Sequence, residues 1–282
     1  MGEIVLAAKI AHVPAMVRSE QPGPYQGCRQ AAVDGVREIA RRMRDGGVDT
    51  VVIFDTHWLV NSGYHLNARQ HFSGTYTSHE FPHFIQNMTY QFDGAPPLSN
   101  LIAEKARAKG LNAMSHEVQT LTPEYGTLIP VKFMQSVADF KIVSVAAWCT
   151  RHQFQDSRRF GEAVVEAVSE SDSRVGVLAS GLLSHLLMED GKSVEEALDH
   201  TSCEFNRQVD LRVVELWRSG QSRSFLDMLE RYAEVCYGEG NMHDTAMLFG
   251  VLGWDQYQGK AEIVTDYFPS WGSGQINAVF PL

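Results

Sequence analysis

Residues 50–57 read TVVIFDTH, and this stretch decides the fold class that the rest of the chain supports. Residues 50–54 form a largely apolar, β-branched run, which is typical of a strand buried on both faces. Residues 30–44 precede it with apolar side chains at helical spacing, and two glycines follow them. A helix that leads into a fully buried strand indicates an α/β domain with a largely parallel sheet.

Strand and helix patterns alternate outward from this stretch. Further helical patterns include a more helical stretch that begins at residues 194–197, and residues 156–168, with Asp156 as the predicted cap. The remaining predicted strands are residues 3–10, 112–118, 141–148, 174–179, 261–267 and 275–280, and the remaining predicted helices are residues 101–108, 128–137, 205–217 and 225–232. Such alternation predicts a sheet covered by helices on both faces.

Composition narrows the class of protein. The 282 residues are long enough for one large domain or two small ones, and a formal charge of −10 disfavours nucleic acid and anionic membranes as partners. The apolar stretch at residues 1–10 is too short to span a membrane, so a cytoplasmic protein is expected. The four cysteines are far apart, which is typical of free thiols rather than a zinc knuckle or a disulfide framework.

Histidines follow three of the clearest predicted strands. His12 comes after residues 3–10, His57 after residues 50–54, and His185 after residues 174–179. The carboxyl ends of parallel strands meet at one edge of the sheet, where chemistry collects in such folds. Any single histidine is more often structural than a ligand, but three at the same edge favour a metal site.

Two imidazoles and one carboxylate form the facial triad that holds Fe(II) and leaves positions open for substrate and O₂. The carboxylates that lie near turns are Asp55, Glu124, Glu239 and Asp244. Glycines flank Glu239 on both sides, which would let the backbone approach another element closely. Glu239 is therefore the favoured third ligand, although a surface Gly-Glu-Gly turn explains the same residues.

At these positions the sequence resembles the class III extradiol ring-cleavage dioxygenases, the group that contains the catalytic subunit of protocatechuate 4,5-dioxygenase. Besides His12, the resemblance rests on FDTHWLVNS at residues 54–62, on LASG at 178–181 with Ser184 and His185, on CYGEGNMHDT at 236–245, and on QINAVFPL at 275–282. It covers essentially the whole chain. The longest of these stretches are similar to members that act on 3,4-dihydroxyphenylacetate (homoprotocatechuate).

The resemblance implies a single catalytic domain over residues 1–282, with an αβα sandwich around a largely parallel or mixed sheet. It implies His12, His57 and Glu239 as ligands of Fe(II), or of Mn(II), which accepts the same ligands, and His185 as the acid–base residue. The implied activity is extradiol cleavage of a catechol, most simply 3,4-dihydroxyphenylacetate, with both atoms of O₂ inserted to give a muconic-semialdehyde-type product. It also implies a homo-oligomer.

The sequence departs from the family pattern at one position. Many members carry a histidine within an acidic-His-Gly stretch in mid-chain, where this chain has Glu124, Tyr125, Gly126 and Thr127. Tyr125 can donate a hydrogen bond to a substrate but cannot act as an imidazole base. Candidate substrate-binding residues are Tyr125, Thr127, His116 and His243, and the cations considered for a substrate carboxylate are Arg18, Arg29 and Arg151.

Several alternatives stay open at this stage. The same chemistry on a dihydroxypyridine, a hydroxypyridone, an aminophenol or another catechol would leave the metal site unchanged. Histidines and a carboxylate at strand ends also suit a zinc or dinuclear metallohydrolase. A non-catalytic binding protein on the same fold is a third reading.

Overall fold

A computed structural model describes residues 1–187 and 198–282. The helices are α1 (Ala15–Ser19), α2 (Gln30–Asp45), α3 (Pro96–Ala108), α4 (Tyr125–Met134), α5 (Phe154–Glu170), α6 (Glu204–Arg218), α7 (Ser222–Val235) and α8 (His243–Leu252), with 3₁₀ turns at Glu239–Met242 and Trp254–Gln256. The strands are β1 (Glu3–Ile10), β2 (Thr50–Asp55), β3 (Tyr64–Asn67), β4 (His71–Tyr76), β5 (Met88–Asp93), β6 (Ala113–His116), β7 (Lys141–Ala147), β8 (Arg174–Ser180), β9 (Glu262–Ser270) and β10 (Ser273–Phe280).

Eight strands form one mixed sheet in the order β6-β3-β7-β2-β8-β1-β10-β9, and β4 pairs with β5 in a separate hairpin. The four central strands β7, β2, β8 and β1 run parallel. The flanking strands β3 and β10 run antiparallel to their central neighbours. One apolar core joins the sheet to α3 and α5–α8, and a second joins it to α1, α2, α4 and the hairpin. The predicted αβα sandwich with a mixed sheet is confirmed.

The central strands are buried along almost their whole length, because helices cover both faces of the sheet. Their largely apolar runs allowed these strands to be predicted from the sequence. The short strand β3 and the β4–β5 hairpin were not predicted. Strand β4 shows why, since four of its six residues are exposed and it pairs with β5 rather than with a strand of the main sheet.

Helix α5 corrects one sequence prediction. It begins at Phe154, and Gln153 rather than Asp156 occupies the capping position. Asp156 sits at the third helical position, and its carboxylate accepts a hydrogen bond from the Gln153 backbone N–H. The two residues together form a reciprocal capping box. The helical stretch predicted to begin at residues 194–197 lies outside the described residues.

The order of the central strands positions the site. Strands β2, β8 and β1 are neighbours and run in the same direction, so their carboxyl ends lie side by side. The segments that follow these strands carry His57, His185 and His12. Among the described helices, none is long and apolar enough to cross a membrane.

Candidate metal centre and active site

His12, His57 and Glu239 converge beyond the ends of β1 and β2. Their candidate ligand atoms all lie within 4.8 Å of one another. Glu239 Oε1 is 3.1 Å from His57 Nε2, and Glu239 Oε2 is 3.5 Å from His12 Nε2. Two imidazoles and one carboxylate thus lie close enough to bind one metal ion, and they form the donor set of a facial triad.

The hydrogen bonds of His12 test whether these residues fit a metal. Its Nδ1 lies 3.0 Å from Ser180 Oγ, and that hydroxyl donates its own proton to the Gly126 carbonyl at 2.5 Å. Ser180 must therefore accept a proton from Nδ1, which leaves a lone pair on Nε2. This Nε2 is buried and has no hydrogen-bond partner in the described structure. A buried imidazole lone pair that faces a carboxylate fits a metal ligand.

Glu239 is held from behind by two donors. Its Oε2 accepts hydrogen bonds from Thr56 Oγ1 at 3.0 Å and from the Leu182 backbone N–H at 2.7 Å. Burial favours the neutral form of this carboxyl, but the surrounding imidazoles outweigh it and hold the pKa of Glu239 well below its usual range. Burial likewise opposes the protonation of His57, and the hydrogen bond and charge of Glu239 reverse this, so the pKa of His57 is raised. Glu239 is accordingly a fixed carboxylate.

The backbone around Glu239 adopts a rare conformation. Tyr237, Gly240, Asn241 and Met242 all have positive φ, at 54°, 53°, 48° and 60°. Glycine and asparagine adopt this left-handed region readily, but tyrosine and methionine do so at an energetic cost. Asn241 Nδ2 donates to the Cys149 carbonyl at 2.9 Å, and Met242 is fully buried, so packing and hydrogen bonding hold the turn in place.

His185 stands beside the three candidate ligands. Its Nε2 is 3.3 Å from Glu239 Oε1, and its side chain is 23% exposed. His185 also lines the cavity in front of the candidate ligands. The segment that carries it is bound on both sides. Ser184 bridges to Gly238, His185 bridges to Ser273, and Leu183 accepts a hydrogen bond from the Glu239 N–H at 3.2 Å. An imidazole in this place can exchange a proton with a group held at the ligands.

The cavity in front of these residues has a mostly apolar wall. It is lined by His12, Val13, Pro14, Ala15, His57, Phe81, Phe84, Tyr125, Leu182, His185, Leu187, Glu239, Ser270, Trp271 and Ser273. Aromatic side chains come from the β4–β5 loop and from the β9–β10 turn, where Phe84 and Trp271 meet edge to face at 5.8 Å. An apolar slot with a few convergent polar groups suits a flat ring with polar substituents.

Tyr125 borders the candidate metal ligands. Its ring lies against the His57 imidazole, with the centroids 3.8 Å apart, and its hydroxyl donates to Glu80 Oε2 at 2.9 Å. Glu80 Oε2 is also 3.7 Å from His57 Nδ1. Burial raises the pKa of Tyr125 far above its ordinary value, and the charges of Glu239 and Glu80 add to this, so Tyr125 stays a neutral phenol. Glu80 was not singled out in the sequence, because it lies in a loop that carries no recognisable motif.

Thr127 lies behind the site. Its hydroxyl is 2.6 Å from Asp55 Oδ2 and 2.7 Å from Ser144 Oγ, and the residue is fully buried. The other oxygen of Asp55 accepts the backbone N–H of His57 at 2.7 Å. Thr127 therefore supports the turn that carries His57 and does not line the cavity.

Two other predicted substrate contacts lie elsewhere. His116 Nε2 is 2.7 Å from His65 Nδ1, and both rings border a separate cleft beside Trp58. His243 Nδ1 is 2.8 Å from Ser157 Oγ, and burial, together with the nearby His152, lowers the pKa of His243 to about 4. The structure brings together His12, His57, Glu239, His185 and Tyr125, and leaves Thr127, His116 and His243 outside the cavity.

Of the three arginines considered for a substrate carboxylate, one approaches the cavity wall. Arg29 is buried, with Nη2 3.3 Å from Ser270 Oγ and Nη1 2.7 Å from the Asp199 carboxylate. Arg18 binds Gln21, and Arg151 lies over the Trp148 ring. Neither Arg18 nor Arg151 lines the cavity.

Three buried carboxylates near the site each touch a glycine. Asp55 lies against Gly126, Asp244 against Gly181, and Asp210 against Gly274, so that a Cβ added at any of these glycines would overlap a carboxylate oxygen. Asp244 also forms a fully buried ion pair of 2.5 Å with Lys9. The missing side chains of the three glycines create the space into which these carboxylates fit.

Two known enzymes resemble the chain over most of its length. The chain is 54% identical over 260 residues to 3,4-dihydroxyphenylacetate 2,3-dioxygenase of Escherichia coli, covering 92% of this chain and 94% of that protein. It is 24% identical over 250 residues to the 2-aminophenol 1,6-dioxygenase beta subunit of a Pseudomonas species, covering 84% of this chain and 82% of the subunit.

A solved structure shares the fold. An uncharacterized protein of Escherichia coli K12 matches with a TM-score of 0.59 and 15% identity, over 98% of this chain and all of that one. The family model described as the catalytic LigB subunit of aromatic ring-opening dioxygenase matches residues 6–281. With a match of this length and a relative of such high identity, the chain belongs to the family of LigB-type catalytic subunits of aromatic ring-opening dioxygenases and is an enzyme of that class.

Proposed function

We propose that the enzyme is an Fe(II)-dependent extradiol dioxygenase that opens the ring of 3,4-dihydroxyphenylacetate, and that residues 1–282 form one catalytic domain. The observation that carries the proposal is the convergence of His12, His57 and Glu239 on one point, with His185 Nε2 3.3 Å from the Glu239 carboxylate. The relative of 54% identity, whose name specifies this substrate, supports the choice of ring.

Two imidazoles and one carboxylate can hold iron or zinc, and membership of a ring-opening dioxygenase family supports iron. Three ligands on one side leave positions open for two substrate oxygens and O₂, an arrangement typical of non-haem Fe(II) oxygenases. His12, His57 and Glu239 would hold the metal. Bound Fe(II) would supply a Lewis acid for the substrate oxygens, and redox contact between the ring and O₂. Mn(II) accepts the same ligands and is the alternative metal.

The chain's own residues handle the proton. His185 Nε2 accepts a proton from a substrate hydroxyl and returns it to the oxygen that must leave when the O–O bond breaks, because an imidazole can carry a proton in both directions near neutral pH. The reaction is balanced without a further reductant. The C–C bond beside the two hydroxyl carbons breaks, and both oxygen atoms of O₂ enter the product, an open-chain semialdehyde.

The cavity orients the ring and limits water. Phe81, Phe84 and Trp271 contribute apolar ring surfaces to the cavity wall. Tyr125 also lines the cavity, with its ring against His57 and its hydroxyl proton donated to Glu80. Holding the ring close to the ligands and to His185 supplies the orientation that such a reaction needs.

The test is reconstitution with Fe(II) without air, followed by 3,4-dihydroxyphenylacetate and air, with O₂ uptake and the visible absorbance of a yellow ring-fission product measured together. One O₂ consumed per substrate, with colour, is the expected result. Uptake only with an aminophenol, a dihydroxypyridine or another catechol would replace the substrate and keep the chemistry. Activity with zinc and without O₂ would overturn the proposal in favour of a hydrolase.

A further inference from the structure

A second carboxylate, remote from the metal ligands, is attached to the segment that carries His185. Asp210 lies in α6 and is fully buried. Its Oδ2 accepts a hydrogen bond from Ser184 Oγ at 2.7 Å, and its Oδ1 accepts one from the Ser184 backbone N–H at 3.2 Å. The residue directly before His185 is thus bound twice by one side chain.

Two tyrosines complete the shell of Asp210. Tyr232 of α7 donates to Oδ1 at 2.6 Å, and Tyr267 of β9 donates to Oδ2 at 3.0 Å. In the described part of the chain, no ion pair joins Asp210 to a lysine or an arginine. Four donors, two on each oxygen, therefore solvate a buried carboxylate that has no cation partner. A buried carboxylate destabilises the folded state unless both of its oxygens accept hydrogen bonds.

Neighbouring residues in an extended segment point to opposite sides, and residues 184 and 185 follow this rule. Ser184 is fully buried and faces Asp210, whereas His185 faces the cavity and Glu239. Gly274 lies beside the same carboxylate, and a Cβ there would overlap Asp210 Oδ2. The Asp210 carboxylate thus lies beside Gly274, at the start of β10, and binds Ser184 in the segment that bears His185.

We infer that Asp210 is a positioning residue for the ring-opening reaction, which fixes the imidazole of His185 against the metal ligands by binding Ser184 from behind. This inference rests on the proposed role of His185 and adds a residue that touches neither substrate nor metal. It differs from a purely structural role in one respect: its effect on turnover must pass through His185.

The variant Asp210→Asn keeps the shape of the side chain but replaces one acceptor oxygen by a donor, which faces existing donors. By analogy with the hydrogen-bond partners of metal-ligating residues, whose loss costs about 10- to 100-fold, we expect kcat to fall by about that factor, with KM and metal content each changed less than about threefold. The matched control is Val213→Ala, which loosens the same helix where Val213 packs in the core. It should lower the melting temperature and leave kcat unchanged.

A double-mutant cycle with His185→Phe decides between the two roles. If Asp210 acts through His185, Asp210→Asn has no further effect on turnover once His185 is absent. An equal loss of kcat in both backgrounds, or a loss matched by Val213→Ala, would overturn the inference. The cycle uses whichever ring substrate the wild type turns over, so a wrong substrate does not affect it.

A measurement without turnover keeps the inference separate from the proposed function. In the metal-free protein, hydrogen–deuterium exchange of the peptide that contains the backbone amides of Ser184 and His185 should accelerate in Asp210→Asn and not in Val213→Ala. If Asp210→Asn fails to fold, Ser184→Ala removes one of the two contacts and should give the same pattern with a smaller change. Unchanged exchange in this peptide would contradict the inference.

Discussion

Two groups of histidines lie on or just beyond strands of the same sheet, and among the described residues one group is arranged around a carboxylate as a metal site would be. The central group, His12, His57 and His185, surrounds the Glu239 carboxylate. The edge pair, His65 and His116, lies on β3 and β6 at the margin of the sheet. In the edge pair, His65 Nδ1 contacts His116 Nε2 at 2.7 Å, and His65 Nε2 contacts the Ser62 carbonyl at 2.6 Å.

The difference lies in which ring nitrogens are already occupied. Both nitrogens of His65 have partners within the chain, whereas His12 Nε2 is buried and has none in the described structure. Burial lowers the pKa of His65, so this ring stays neutral without a carboxylate nearby. A histidine cluster therefore indicates a metal centre when an imidazole nitrogen has a free lone pair and the rings share a carboxylate. The number of histidine rings alone does not indicate one.

The largest expected effect is that of Glu239→Gln. It removes the charge on which the central group converges, so bound iron should fall from about one per chain to near zero, and turnover by at least about 10³-fold, the scale on which members of a catalytic unit act. Metal analysis after dialysis and O₂ uptake measure both. The matched change in the edge pair, His116→Gln, should leave the iron content and turnover unchanged. Equal losses in both variants would remove the distinction between the two groups.

Within the central group, His185→Phe should separate proton transfer from metal binding. Iron content should stay the same, because the three candidate ligands are intact, while turnover falls about 10²- to 10⁴-fold through the loss of a general acid–base. Single-turnover kinetics and metal analysis of the same sample test this. Loss of iron would make His185 a ligand and require a new assignment.

A matched pair of serines compares the support behind the histidines. Ser180→Ala removes the acceptor that fixes the proton of His12 Nδ1, so the affinity for the metal should fall about 10- to 100-fold, as is usual for a hydrogen-bond partner of a metal ligand. Ser157→Ala removes the equivalent contact to His243 Nδ1, which is 2.8 Å long, and should leave the affinity unchanged. Titration with Fe(II) under a competing chelator gives both values. Similar affinities in the two variants would contradict the predicted tautomer of His12.

The smallest expected effect concerns stability and pH. The pKa of His243 is lowered to about 4 in the folded protein by burial. The unfolded chain therefore binds more protons than the folded chain between about pH 6.5 and pH 4, and the free energy of unfolding decreases as the pH falls through this range. Between pH 7 and pH 5.5, the free energy of unfolding of His243→Gln should decrease by about 1 kcal/mol less than that of the wild type. Urea unfolding at both pH values measures the difference, and parallel losses would show that His243 contributes nothing.

The sequence predicted the central group because its chemistry follows elements with a strong pattern. Strands β1, β2 and β8 are largely apolar, and the residues that follow parallel strands meet at one edge of the sheet. Glu239 was found in a different way, from flanking glycines and from the family resemblance, since the element just before it is helix α7 and not a strand. The left-handed backbone of Gly240 and Asn241 suits those residue types, but the positive φ of Tyr237 and Met242 has no sequence signal.

The rest of the site depends on contacts between residues far apart in the chain. Thr127 is two residues from Tyr125, yet it faces Asp55 while Tyr125 faces His57, and a short motif cannot show which way each side chain points. Glu80 lies in a loop and Asp210 on a helix. Their contacts are with residues far away in the chain, such as Tyr267, which is 57 residues from Asp210. The hairpin β4–β5 supplies part of the cavity wall without contributing a motif.

The three glycines that lie against carboxylates limit which substitutions the sequence can accept. Gly126, Gly181 and Gly274 each occupy a space in which a single methyl group would displace a buried acid. In a saturation library these positions should accept no other residue unless the facing aspartate shortens or disappears in the same clone. Each glycine and the aspartate beside it are therefore coupled in volume, so that a larger residue at one position calls for a smaller one at the other.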